Sequence, residues 1–354
     1  MQQVKDKERT RIEKLIRSIP KAEIHLHLEG LVSVDTLWYL INHNKLELDE
    51  INTRQDLERQ FNFKSLDEFI WFFINVLQNA FKTSNDLNCL IADAKSYLSR
   101  NNIVYAEIFF APSKFLQNGL DFAEMMKILH EGAQRLKTED NIEIKYIIDV
   151  SRTYGVENAE QNLVLTLENL NDSIIGIGLG GSESQGPAEE FSSVFAKARK
   201  KGLKVVAHAG EDVDASSIWN SLQRLKAQRI GHGISAKDDP ELIEYLRKTR
   251  IPLEICPTSN VFTRKYIQRL EDHPIRQFYD SGINVTLNTD DPTLFNIELV
   301  EEYYNLYHYL DFTLEELFQI MKNTLFATFL PEAQKKALWE KTTNAIKRAG
   351  YLAP

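Results

Sequence analysis

Short runs of β-branched and aliphatic residues alternate along the chain with longer stretches whose apolar positions recur at helical spacing. Eight such runs predict strands, at 22–28, 104–110, 142–150, 174–179, 203–208, 229–232, 252–256 and 283–288. Helical patterns of crossover length, such as 188–201 and 240–249, separate the later ones. Strand alternating with helix implies a parallel sheet, and eight repeats imply closure into a (β/α)8 TIM barrel, an α/β fold. The segment between the first two strands is too long for one helix. Residues 65–68 (Ser-Leu-Asp-Glu) and 313–316 (Thr-Leu-Glu-Glu) both fit a capping box, so each predicts a helix start. The aromatic set Phe69, Trp71, Phe72, Phe73 and Phe81 predicts inserted helices beside the barrel mouth. Most of those rings are expected in the core, with one or two lining a pocket. Ile12, Leu15 and Ile16 stand at helical spacing in a charged N-terminal stretch. Extra helices are thus expected after the first strand and at the termini, with 1–354 forming one barrel domain.

Composition narrows the function classes. The chain has 354 residues, 43% of them hydrophobic, enough for a substantial core. Its 42 basic and 51 acidic residues give a net charge of −9 with no long basic stripe, which argues against nucleic-acid binding. Cys89 and Cys256 are far apart and form no CxxC, the pattern of a reducing compartment without disulfides. No apolar run has the length to span a bilayer, and the N-terminal stretch lacks a signal peptide's apolar segment. A cytoplasmic protein without a membrane partner is expected. Phe295, Tyr303, Tyr304, Tyr307 and Tyr309 are expected to pack on the barrel, and the sequence leaves the oligomeric state open.

The chemically loaded residues fall at the C-terminal ends of the predicted strands, where barrel enzymes keep their active sites. His25 and His27 end the first strand, and alternation points both imidazoles to one face. His208 ends the fifth, His232 the sixth and Asp290-Asp291 the eighth. Three histidines and a carboxylate suit zinc or a similar divalent ion. Taken singly, each has a structural reading: His208 as a satisfied core histidine, Asp290-Asp291 as a turn before Pro292. Their joint placement on matching strand ends favours a site. Glu211, three residues past His208, can stand near the metal without ligating it, which suits proton transfer. His232, between Gly231 and Gly233, could orient or deprotonate a metal-bound water. The glycine-rich run 176–183 lacks the Lys-Ser/Thr of a P-loop and is read instead as backbone that can touch a flat ligand.

These residues form an ordered series: His25-Leu26-His27-Leu28-Glu29-Gly30, Tyr105-Ala106-Glu107, Gly178-Leu179-Gly180-Gly181-Ser182-Glu183, His208-Ala209-Gly210-Glu211, Gly231-His232-Gly233, Cys256-Pro257-Thr258-Ser259-Asn260 and Thr289-Asp290-Asp291-Pro292. In that order, from Lys21 to about Phe326, the chain resembles the adenosine deaminase family of the metal-dependent amidohydrolase superfamily. The resemblance implies one zinc ion per chain, held by His25, His27, His208 and Asp290. It implies Glu211 as the general acid at purine N1 and His232 as the group assisting the attacking water. Asp291 would bond N7, Gly181 would meet N3 through its backbone, and Glu29 with His27 would face the ribose end.

The implied reaction is hydrolytic deamination of a 6-aminopurine nucleoside to the 6-oxopurine and ammonia. Adenosine and 2′-deoxyadenosine lead, ahead of aminodeoxyfutalosine, with adenine and N6-methyl-AMP behind. Three positions depart from the usual pattern of adenosine deaminases: Gly178 where Asp is frequent, Phe109 where Arg is frequent, and Glu29 where several members carry Asp. Two other classes compete. A two-metal hydrolase on the same barrel would need a bridging lysine, and no lysine ends the strand at 174–179. A non-catalytic paralogue would have lost a ligand, Glu211 or His232, and all are present.

Overall fold

A computed structural model describes residues 2–49, 51–263 and 265–354. Eight parallel strands run in sequence order: β1 Lys21–His27, β2 Ile103–Phe110, β3 Glu143–Asp149, β4 Ile174–Leu179, β5 Lys204–Ala209, β6 Arg229–His232, β7 Leu253–Ile255 and β8 Val285–Leu287. This is the expected (β/α)8 barrel. β7 and β8 are shorter than the apolar runs suggested. The chain leaves β7 directly into the helix Pro257–Thr263, whose first turn claims Cys256 by Asn260 N–H donating to its carbonyl. Beyond β8, the side chain of Asn288 is engaged by Ile24 N–H at 3.1 Å.

Neighbouring strands pair from β1 through β8, and the ring closes at a single bridge, Leu26 to Asp290. Two backbone bonds make that closure: His27 N–H to Asp290 O at 3.0 Å, and Asp290 N–H to His25 O at 3.1 Å. Thr289 adds to it, its N–H and hydroxyl each 2.8 Å from Glu23 Oε1. Lower in the barrel, Phe109, Ile147 and Val206 pack together as a buried layer. Beneath the histidines lies a buried ionic strand-to-strand bridge. Arg229 pairs with Glu107 and, at 2.5 Å, with Glu254, and its guanidinium lies 4.0 Å above the Phe329 ring.

The expected extra helices are present. Gln2–Ser18 buries Ile12 and Ile16, and Glu332–Arg348 closes the other end. After β1 come Val34–His43, Arg54–Arg59 and Leu66–Phe72, the last running into a π turn over Phe73–Leu77. Ser65 caps that helix by accepting from Glu68 N–H, but Glu68 returns its carboxylate to Lys64 N–H rather than to Ser65. At Thr313 the reciprocal box is complete. Trp71 departs from the expected core placement and is 61% exposed, whereas Phe72 and Phe81 are buried. Tyr303 and Tyr304 are buried as expected, while Tyr309 is exposed. Cys89 and Cys256 are free thiols. No helix among the described residues is long and apolar enough to cross a membrane.

Candidate active site

The site stands at the C-terminal mouth of the barrel, where strand periodicity aims alternate side chains inward. His25 and His27, two apart on β1, both reach the axis. His208 comes from β5, and Asp290 from the segment that closes β8 onto β1. Nε2 of His27 lies 3.2 Å from Nε2 of His208 and 3.2 Å from Oδ1 of Asp290, and Nε2 of His25 lies 3.3 Å from that same oxygen. His25 Nε2 is buried with no hydrogen-bond partner. Ligand atoms 2.0–2.2 Å from a tetrahedral metal stand roughly 3.3–3.5 Å apart, so these separations fit the edges of one coordination polyhedron. The donor set, three imidazoles and a carboxylate, fits a divalent ion of the zinc type.

Charge agrees with geometry. Burial opposes a charged His27 ring, yet Asp291 and Asp290 beside it raise its pKa to about 10. Against the same cost of burial, the His25 and His27 rings beside it hold Asp290 well below the usual carboxylate range. The carboxylates draw protons onto the rings, and a divalent cation among the same atoms would take the protons' place.

The bonding behind these residues fixes their aim. His25 Nδ1 is 2.7 Å from Glu254 Oε2, which leaves Nε2 facing the axis. Ser259 Oγ donates to Asp290 Oδ2 at 2.7 Å. The Phe109 ring stacks on His27 (centroids 5.1 Å, planes 22° apart) and meets His25 edge-on at 5.0 Å. Gly231 lets His25 lie flat on β6, since a Cβ there would sit 2.7 Å from His25 Cε1. His232 and Asp290 both adopt left-handed backbone, at φ +61° and +68°. That conformation is costly for residues with a Cβ and clusters at functional sites.

Glu211, His232, Asp291 and Gly181 line one cavity with His27, His208 and Asp290. Glu211 Oε2 lies 3.4 Å from His232 Nε2. Burial, then Asp290 and Glu183, push the Glu211 carboxyl well above the ordinary range, which favours the protonated form that an acid needs. Glu183 positions the Glu211 loop by accepting N–H bonds from Gly210 (2.5 Å), Glu211 (3.1 Å), Asp212 (2.8 Å) and Val213 (3.1 Å). Burial likewise raises Asp291 well above its ordinary value, and its Oδ1 is buried without a partner. The rest of the wall is an apolar roof of Leu66, Phe69, Ile70, Phe73, Ile74 and Phe295 over the polar residues Gln78, Asp149, Ser151, Thr153 and Tyr154.

Glu29 does not line the cavity. Its Oε1 accepts from Ala111 N–H and from Gln78 Nε2, each at 3.0 Å, and Gln78 faces the cavity in front of it. The sequence alone did not mark Gln78, Asp149 or Glu254, and it marked Glu183 only as the last residue of the 178–183 motif, without a role. Asp149 lies near the C-terminal end of the predicted strand at 142–150, which was the available signal, whereas Glu254 lies at the middle of the one at 252–256. Gln78 had none, because it sits in an insertion without a repeat.

The comparisons with known proteins bear on this arrangement. Residues 20–345 match the sequence model of the family described as adenosine deaminase. The chain belongs to the adenosine deaminase family. It is 31% identical over 96% of its length to the aminodeoxyfutalosine deaminase of Streptomyces avermitilis, covering 94% of that protein. It is 32% identical over 93% of its length to the adenosine deaminase of Clostridium acetobutylicum, covering 99% of it. The crystal structure of adenine deaminase from Arthrobacter aurescens superposes with a TM-score of 0.87 at 27% identity, over 93% of this chain and 99% of that one. Family membership makes the chain a metal-dependent hydrolytic deaminase of aminopurines.

Proposed function

We propose that this deaminase uses one zinc ion, held by His25, His27, His208 and Asp290, to hydrolyse the 6-amino group of an uncharged purine, with adenosine and 2′-deoxyadenosine the leading substrates. The observation that carries the reading is the set of close contacts among those four side chains, His27 Nε2 with His208 Nε2 and Asp290 Oδ1 and His25 Nε2 with that same oxygen, at the floor of a cavity lined by Glu211, His232 and Asp291. When bound, the ion lowers the pKa of water toward neutrality and so supplies a nucleophile near pH 7. Glu211, held protonated, gives its proton to N1, which draws electron density from C6 and opens it to addition. Asp291, also protonated, bonds N7, and the Gly181 backbone meets N3. His232 and Asp290 hold the nucleophile on one ring face. The proton released by the attacking water passes by way of Asp290 to the departing amine, which leaves as ammonia, and the remaining hydroxyl proton returns to Glu211 as C6 becomes the carbonyl.

Charge supports a neutral substrate. Asp149, Glu211 and Asp291 surround the cavity, and none of the described residues lining it is lysine or arginine. A phosphate would find no lysine or arginine to pair with among those residues. Adenine is the second reading, because Glu29 stays behind Gln78 and the cavity-facing acceptors suit a ring N–H as well as a ribose hydroxyl.

The test is metal analysis with a steady-state comparison of adenosine, 2′-deoxyadenosine, adenine, N6-methyl-AMP and aminodeoxyfutalosine. One zinc per chain and the highest kcat/KM for a neutral nucleoside are expected. A hundredfold lead for adenine selects the second reading, and the same lead for N6-methyl-AMP overturns the charge argument. Two metals per chain overturn the site.

A further inference from the structure

The mouth of the barrel contains a second, fully buried chain of polar groups, running from the backbone of residue 275 to His232. It decides something that the reaction needs: which nitrogen of His232 carries its proton.

The chain starts at Ile275, whose N–H donates to Nδ1 of His273 at 3.1 Å. A backbone amide can only donate, so that nitrogen accepts and the neutral His273 ring carries its proton on Nε2. Nε2 of His273 lies 3.3 Å from Oδ1 of Asn260. This contact turns the Asn260 amide so that its Nδ2 faces Nδ1 of His232, 3.0 Å away. An amide NH2 also only donates, so Nδ1 of His232 accepts and its proton stays on Nε2. The three side chains are buried, with His232 0%, Asn260 2% and His273 3% exposed. Because each ring accepts a hydrogen bond at Nδ1, neither carries a proton there, and both imidazoles are neutral. Nε2 of His232 has no hydrogen-bond partner, and it stands 3.4 Å from Glu211 Oε2 and 3.9 Å from Asp290 Oδ2.

We propose that Asn260 and His273 are positioning residues that lock His232 in the tautomer with its proton on Nε2, making it a hydrogen-bond donor to the attacking oxygen rather than a proton acceptor. The inference rests on the proposed deamination for its consequence in catalysis; the tautomer itself stands on the relay alone. The direction comes from one atom, the N–H of Ile275, which cannot reverse its role. Of the two roles open to His232 from sequence, orienting the water or deprotonating it, the relay selects orientation. The water's proton then has to pass to another group, and Asp290 is the carboxylate beside it.

The experiment pairs nitrogen NMR of histidine-labelled, metal-loaded protein with kinetics of three variants. In the natural protein His232 should show a protonated Nε2 and a bare Nδ1. Asn260→Asp places an acceptor at Nδ1 and should move the proton there, with kcat falling about 10²-fold or more and KM changing less than about threefold. His273→Leu frees the Asn260 amide to turn and should give mixed tautomers with reduced kcat. His273→Gln restores an N–H donor toward Asn260 and should recover the single tautomer and most of the lost kcat. A protonated Nδ1 in the natural protein overturns the proposal, as does an Asn260→Asp protein whose kcat stays within about threefold. If no aminopurine is deaminated at all, the functional reading falls while the NMR result still decides the tautomer.

Discussion

Phe109 and Gly178, two departures from the usual family pattern, turn out to be neighbours. A Cβ at Gly178 would stand 2.6 Å from Phe109 Cε1, so the missing side chain makes room for the ring that stacks under His27. The sheet register sets Asp149 beside Gly178, and Asp149 Oδ1 accepts from Gly180 N–H at 2.7 Å. A carboxylate is therefore present at this level of the barrel, but from β3 instead of β4. The ligand candidates were legible because His-x-His on a strand and residues past strand ends carry periodic information. Asp149 was not, since a lone acid at a strand end has no spacing partner. Glu211 carries the sharpest prediction at this scale. Glu211→Gln removes the proton donor while keeping the side-chain volume. Metal content and thermal melting should hold, and kcat should fall by about 10²–10⁴. Near-normal turnover in metal-loaded protein would remove Glu211 from the acid role.

Among the elements, the short helix Pro257–Thr263 matters beyond its length, since it carries Ser259 to Asp290 and Asn260 to His232. Its start is held from outside by Glu302, whose Oε1 accepts from Thr258 N–H at 2.8 Å. Glu302 is fully buried, and burial pushes its carboxyl up to about 7 from an ordinary 4.5. Between those values the folded chain keeps a proton that the unfolded chain has released. Stability should therefore fall as pH rises from about 4.5 to 7, by about 3 kcal/mol over the whole interval. Glu302→Gln should lack that component. In urea titrations at pH 5 and pH 8, the natural protein should lose more stability across the interval than the variant, and equal losses would refute the assignment.

The inserted helix Leu66–Phe72 teaches a related lesson. Phe69 and Phe73 lie four apart, share a face and roof the cavity, while Trp71, two positions out of phase, points to solvent. Composition marked the aromatic cluster, but only the phase separated roof from surface.

For the whole molecule, the order of strands was readable because each apolar run is followed by a helix of crossover length. What sequence left invisible is where the ring closes. β1 and β8 meet through one bridge, and the residues that make it are His25, His27 and Asp290 by their backbones. In the proposed site those same three would offer side chains to the metal. Removing the ion should thus act on closure as well as on chemistry. Chelation should lower the melting temperature, since an ion at about 1,000 times its Kd contributes about 4 kcal/mol. Amide hydrogen exchange should accelerate first at residues 24–27 and 288–290 and least in β2–β4. Uniform acceleration around the barrel would count against the coupling.

The peptide groups of His27 and Asp290 fasten the barrel at the place where, in the proposed site, their side chains would hold the ion. The metal is then a clasp on the fold's single seam. A chain that has not yet acquired it should open at this seam more readily, so limited proteolysis should reach β1 and β8 first. Metal supply would in this way govern how long the protein survives as well as how fast it works.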